Sequence, residues 1–354
     1  MASTFKTLLN NDVVSTRSML HEAIPVTGTI VSGTYADNNI KNFTHGMFQQ
    51  VYDYPYLSSS ANHIFDLTVG FSPSSTCSAS APTTTANPQQ SKKINIYTEM
   101  AQILTGYDVS GNVRDFDKDG DLSGGTKMRE CFFVNFARLL SKDEIKKQSF
   151  SISLLTSGGC SAPKTSVTIQ DHGALNAYKV NSPAGEYALL YTSSTSNVIV
   201  GHVYYQAGIC VLTASIFSGS FSTNEGTKYF GLGNNAIYVN NDIRTALTGA
   251  AISASCDGFR NRLQNLSFNN TTELNSTIYF CRANNSEFNY SANPTYLSAS
   301  KMVVKNNTSD TSVSYITTIG MYSSDNELLA TAKLSEPLKK TPDDEFTLRV
   351  RLDY

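Results

Sequence analysis

Between Asp115 and Gly125 the chain reads Asp-Phe-Asp-Lys-Asp-Gly-Asp-Leu-Ser-Gly-Gly. Asp115, Asp117, Asp119, Asp121 and Ser123 place a side-chain oxygen at every second position, and Gly120 follows the third aspartate. A calcium loop of the EF-hand type takes ligands from positions 1, 3, 5, 7 and 9, with glycine at 6 and a bidentate glutamate at 12. Here position 12 is Thr126, so the bidentate acid is missing. The flank from Met128 to Leu140 reads as a strand, not as a second helix. Two readings stand. Four clustered aspartates repel one another, and the repulsion favours a weakly bound calcium ion held by these five residues. The same residues also make an ordinary solvated turn. Metal catalysis is not expected, because no histidine is close in sequence and hard oxygen ligands on a loop point to structure.

Other candidates for chemistry are sparse. None of His21, His45, His63, His172 and His202 has a metal-ligand partner four residues on. Asp171 and His172 are adjacent, and neighbours on a strand point to opposite faces. Ser157 lacks the upstream glycine of a nucleophile elbow. Ser157-Gly158-Gly159-Cys160 reads as a turn, with no Lys-Ser/Thr after it to make a phosphate loop. Asp343, Asp344 and Glu345 follow Lys339 and Lys340, a mixed-sign solvated cluster that offers no nucleic-acid patch. Tyr52, Tyr54 and Tyr56 are stacking candidates for a glycan, against the simpler role of packing in a core or interface. The expectation is a protein that is not an enzyme and that needs no cofactor beyond a weak calcium ion.

The elements that must position the acidic loop are legible on both sides. From Lys93 to Gly106, Ile96, Met100, Ile103, Leu104 and Tyr107 mark one apolar face of a helix, and Gly106 suits its stop. Glu130 to Leu140 is a nearly continuous apolar run, a buried strand, and Ser141 to Glu144 has a capping-box pattern for one helical turn. Strands follow where Phe150, Ile152 and Leu154 alternate with serines, at Val167 and Ile169, and twice between Val198 and Phe217, punctuated by Gly201 and Gly208. Ile24 to Tyr35 reads as short strands broken by Gly28 and Gly33, and Tyr52 to Tyr56 as an edge or extended strand around Pro55. Asp242 to Leu263 reads as a helix weakened by Gly249 and Gly258. Ser276 to Ala283 is a strand and Ala292 to Thr295 a turn. At the end, Tyr315 to Tyr322 and Leu328 to Leu334 form strands about a Ser323–Asn326 turn, and Pro337 to Pro342 a polar loop. In Phe346 to Leu352, alternation puts Phe346, Leu348, Val350 and Leu352 on one face.

Composition agrees with a mainly β (α+β) fold: antiparallel, sandwich-like sheets with one or two helices and long loops. Nineteen Tyr, eighteen Phe and no Trp suit pleated, half-buried surfaces. The 354 residues suit two or three domains. The expected divisions are 1–91, with a Ser/Thr/Pro-rich loop at 72–91; 92–240, a central β-rich domain; and 241–354, a helix plus antiparallel strands. A net charge of −2 with 16% charged residues argues against a general nucleic-acid surface. No apolar run is long enough for a signal sequence or a membrane-spanning helix. The six cysteines have no paired spacing. Cys131, Cys210 and Cys281 lie in apolar runs as buried free thiols, which fits folding in a reducing compartment. N-x-S/T sequons, dense between Asn265 and Asn307, follow from the Asn/Ser/Thr-rich composition.

The segment YITTIGMYSSDNELLATAKLSEPLKKTPDDEFTLRVRLDY, Tyr315 to Tyr354, resembles the closing segment of virion structural proteins of contractile-tailed bacteriophages. Ile145–Leu154, Gly201–Phe217, Leu266–Lys301 and Ser15–Tyr35 are similar to the same group. The closing segment is also similar to the hairpin of some tail-fibre attachment domains, with Ile319-Gly-Met-Tyr322 as the strand before the turn. The resemblance implies a structural subunit of the particle, of tail or baseplate. It implies assembly with other virion structural proteins, a homo-oligomer, and no nucleic-acid or membrane partner. Virions of this kind assemble in the reducing host cytoplasm, where sequons stay unmodified. The alternatives are a neck or head-associated structural protein and a receptor- or glycan-binding module.

Overall fold

The structure, a computed structural model, describes residues 5–29, 37–78, 89–157, 165–192, 198–217, 228–230, 237–238, 247, 251–290, 297–298, 301–302, 309 and 311–354. It is mainly β with an α component. In chain order the first strands are β1 (Val13–Ile24), β2 (Ile40–Asn42), β3 (Gln49–Tyr52), β4 (His63–Phe71), β5 (Phe116–Asp117), β6 (Lys127–Met128) and β7 (Glu130–Phe136). Then come β8 (Glu144–Ile145), β9 (Ser151–Ser157), β10 (Thr165–Gln170), β11 (Tyr187–Tyr191), β12 (Ile199–Tyr204) and β13 (Ile209–Thr213). The last are β14 (Lys228–Phe230), β15 (Ile237–Tyr238), β16 (Leu263–Ala283), β17 (Leu297–Ser298), β18 (Lys301–Met302), β19 (Ser314–Tyr322), β20 (Leu328–Lys340) and β21 (Phe346–Asp353). Among the described residues two helices exceed one turn, α1 (Gln90–Leu104) and α4 (Ile252–Arg262); α2 (Arg138–Ser141) and α3 (Ala174–Ala177) are single turns.

The chain divides into two compact units, one of residues 20–272 and one that joins 1–19 to 273–354. This differs from the divisions expected from composition. The 91/92 boundary falls inside α1, and 240/241 lies outside the described residues. Residues 72–91 read as a linker, yet β4 before them and β7 after them pair over seven residues, Phe65↔Phe136 to Phe71↔Glu130. Both sides therefore belong to one sheet.

In the larger unit the order is β16-β9-β10-β11-β12-β13-β7-β4-β3-β2, antiparallel at every step. Central strands β4, β7, β12 and β13 are buried on both faces, which is why they read as nearly continuous apolar runs. Neighbouring residues on β7 show what covers each face. Phe133 meets Tyr97 of α1 with ring centroids 6.4 Å apart, and Phe132 meets Phe259 of α4 at 5.1 Å. Adjacent strand residues point oppositely, so the two helices cover opposite faces here.

α1 lies so close to β4 that a Cβ on Gly70 would stand 2.7 Å from the Lys93 carbonyl oxygen. Its buried face is Lys93, Ile96, Tyr97, Ala101 and Leu104. Ile103 and Tyr107, expected on that face, are exposed: Ile103 lies off the buried stripe, and Tyr107 lies beyond the end of the helix at Leu104. Gly106 ends it at φ +76°, donating to the Ala101 carbonyl at 3.1 Å. Ser141 closes α2 instead of opening a turn, since Glu144 and Ile145 pair with β16. Gly201 sits inside β12, not at a break, where a Cβ would meet the Val211 carbonyl at 2.2 Å. Val26–Thr29 is a 3-10 turn in place of a strand. Of the expected helix 242–263, Ile252 to Arg262 is helical and Leu263 already begins β16; 242–246 and 248–250 lie outside the described residues. The turns expected at 158–160 and 292–295, and most of the 72–91 loop, also lie outside them.

In the smaller unit β21 pairs with β16 from Ser276↔Asp353 to Ala283↔Phe346. β19 and β20 form a hairpin whose turn places Asn326 at φ +63° and the Ser323 amide 2.9 Å from the Glu327 carbonyl. β20 runs past Leu334 to Lys340, so Pro337 lies within a strand and not in a loop. Register jumps there, from Thr318↔Lys333 to Ile316↔Leu338. A bulge tolerates a proline that has no N–H to donate. Cys77, Cys131, Cys210 and Cys256 are buried free thiols, and Cys281 is half-buried; Cys160 lies outside the described residues. Among the described residues, no helix is long and apolar enough to cross a membrane.

Candidate metal centre

β5 and β6 form a short hairpin, Phe116↔Met128 and Asp117↔Lys127, whose tip is the acidic loop. Its apolar half anchors it. Phe116 is fully buried against Tyr97 and Phe133, with ring centroids at 5.4 and 5.7 Å. The Tyr97 hydroxyl donates to the Met128 carbonyl at 2.7 Å and accepts from the Phe116 amide at 3.1 Å. One helical side chain thus holds both strands of the hairpin, and Asp117 is fixed as the next residue along.

The tip bends through Gly120, Leu122, Gly124 and Gly125, all at positive φ. Beneath it, Asn181 Nδ2 donates to the Gly120 carbonyl at 2.9 Å. The Tyr187 hydroxyl lies 3.2 Å from the same carbonyl and 2.8 Å from Asn181 Oδ1. Burial, reinforced by the charge of Asp117, pushes the Tyr187 hydroxyl up to about 12, so it remains a donor. His202 Nε2 lies 3.4 Å from the Lys118 carbonyl, which fixes the tautomer with the proton on Nε2. Its Nδ1 is buried without a hydrogen-bond partner. Burial pushes the imidazole down to about 4, so His202 is neutral at pH 7.

The carboxylates of Asp117, Asp119 and Asp121 converge, with one oxygen of each within 4.8 Å of the others. Asp119 and Asp121 are exposed, whereas Asp117 is 1% exposed. Lys127 Nζ stands 3.0 Å from Asp117 Oδ1, and Oδ2 has no donor. Burial raises the Asp117 carboxyl above the usual carboxylate range, partly opposed by Lys127. The Ser123 amide, donating to Asp121 Oδ1 at 2.7 Å, holds Asp121 below it. A Cβ on Gly125 would lie 3.5 Å from oxygens of both Asp117 and Asp119.

Three of the five expected ligands are therefore brought together. Asp115 is not: it precedes the hairpin, accepts from Ser72 Oγ at 2.7 Å and pairs with Arg129 Nε at 3.2 Å. Ser123 donates its backbone N–H to Asp121 Oδ1. The flank after the loop is strand as far as Phe136; Arg138 to Leu140, expected to continue it, form α2 instead. His202, Tyr187 and Asn181 support the loop from 61 or more positions away, and no local spacing signals them.

Elsewhere, Asp171 is buried and accepts from the Gln148 and Phe150 amides and from the Tyr205 hydroxyl. These bonds close the end of β9 and β10. Tyr52 ends β3, and Tyr54 and Tyr56 follow in an irregular, exposed stretch, not in an extended strand and not in a core. Tyr52 and Tyr56 are 6.4 Å apart. No family model, curated protein or solved structure matches the chain.

Proposed function

We propose that this chain is a structural subunit of a tailed-phage particle, of its tail or baseplate, which acts by assembling with copies of itself and with other virion structural proteins. The sequence resemblance of the closing segment supports the particle. The observation that carries the assembly is the smaller unit. Among its described residues only Ala283, Val313 and Val350 are buried apolar side chains. Phe346, Leu348 and Leu352 line one face of β21 but are only half-covered. Phe5, Leu9, Tyr315, Tyr322, Leu328 and Leu329 are exposed. A sheet that is apolar on one face must bury it against another layer. Obligate interfaces resemble a core cut in half, and a partner that supplies the missing half completes such a unit.

Light scattering on the purified chain tests assembly, and mass spectrometry of purified particles tests the location. A mass above one chain that falls on changing Leu328 and Leu329 to glutamate is expected. A monomer at every concentration, or particles that never contain the chain, overturns the reading.

A further inference from the structure

We propose that the hairpin tip binds one calcium ion between the carboxylates of Asp117, Asp119 and Asp121, with Asp115 outside its coordination sphere. This stands independently of the assembly reading.

Two observations carry it. The first is the convergence of three carboxylate oxygens within 4.8 Å. The second is Asp117 itself. Both of its oxygens are buried, Lys127 pairs with Oδ1 alone, and Oδ2 meets no hydrogen-bond donor. A carboxylate removed from water without hydrogen bonds is costly unless a cation compensates it. The open position is Oδ2, on the group that faces Asp119 and Asp121. Charge accounting points the same way. Arg129 takes Asp115 and Lys127 takes Asp117, while Asp119 and Asp121 form no ion pair among the described residues. Two uncompensated negative charges match one divalent cation.

The donor set selects the ion. All three ligands are carboxylate oxygens, the choice of hard cations. Two of them hang from an exposed, irregular turn, and calcium accepts such geometry with water completing the shell, whereas magnesium demands a near-ideal octahedron. Gly125 leaves the space beside Asp117 and Asp119 free of a side chain. With an ion there, the tip is fixed to the Tyr187–Asn181 floor that holds the Gly120 carbonyl.

Terbium luminescence on the full chain tests this. The chain has no tryptophan, so tyrosine is the only strong sensitiser, and the Tyr187 hydroxyl lies 3.2 Å from the loop backbone. Saturable emission displaced by calcium at roughly 0.1–1 mM is expected. Asp119→Asn, on the exposed tip, is expected to weaken binding about tenfold or more, and Asp115→Asn by less than about twofold. Absence of saturable emission overturns the proposal. So does emission insensitive to Asp119→Asn, or lost equally with Asp115→Asn.

Discussion

The Tyr205 hydroxyl donates to Asp171 Oδ2 at 2.7 Å, deep in the larger unit. Burial lifts the Asp171 carboxyl to about 6 although three donors favour its charged form. A folded-state value raised from 3.8 means that the folded chain binds the proton more tightly than the unfolded one. The contribution is complete below about 3.8 and is lost as pH rises through about 6. Between pH 7 and pH 4, wild type is expected to gain up to about 3 kcal/mol relative to Asp171→Asn. Urea unfolding of both proteins across that range measures it, and parallel curves would sink the idea.

His202 works in the opposite direction. Its folded value is depressed from 6.5 to about 4, so its contribution is present above 6.5 and is lost as pH falls toward 4. His202→Phe keeps the ring beside Tyr187 and removes the titration. The variant is expected to escape an acid loss of about 3 kcal/mol that wild type suffers over this window. Equal acid sensitivity in the two proteins contradicts the assignment of a neutral, buried imidazole.

Gly70 sets the distance between α1 and β4. Alanine there would put Cβ 2.7 Å from the Lys93 carbonyl and 2.8 Å from the Tyr97 amide nitrogen, both of them backbone atoms that cannot swing away. Gly70→Ala is expected to cost about 3 kcal/mol by overpacking. Thermal unfolding measures this, and a change below about 0.5 kcal/mol refutes so close a contact.

β21 supplies eight residue pairs to β16. A chain ending at Pro342 exposes that edge of β16 and removes Val350, one of the few buried apolar residues of the smaller unit. Loss of soluble, cooperatively folding protein is expected. A soluble truncation with wild-type unfolding behaviour falsifies an integral last strand.

Strands buried on both faces were legible because their apolar runs leave little choice: β12 and β13 stand where the sequence puts them, and β7 begins there but ends at Phe136, four residues early. The alternation of β21 was equally clear. What failed depended on tertiary contact. The approach of α1 to its sheet is set by Gly70, twenty residues before the helix begins at Gln90. Pro337 enters a strand because a bulge removes the need for its N–H. In the acidic loop, spacing grouped Asp117, Asp119, Asp121 and Ser123, and the structure brings the three carboxylates together. Spacing also included Asp115, because alternation cannot reveal Arg129 and Ser72 as its partners.

The two-unit division has a consequence for the order of events during synthesis. Residues 20–272 lie between the two parts of the smaller unit, 1–19 and 273–354. Asp12 must wait for Arg282, its partner at 2.7 Å, and Arg17 for Glu273. The larger unit holds most of the buried apolar residues and is complete before residues 273–354 emerge from the ribosome, so it can fold while they are still being made. The smaller unit closes last. The under-covered apolar surface of the smaller unit therefore comes into being only once residues beyond 273 have been synthesised, after the larger unit has had the chance to fold.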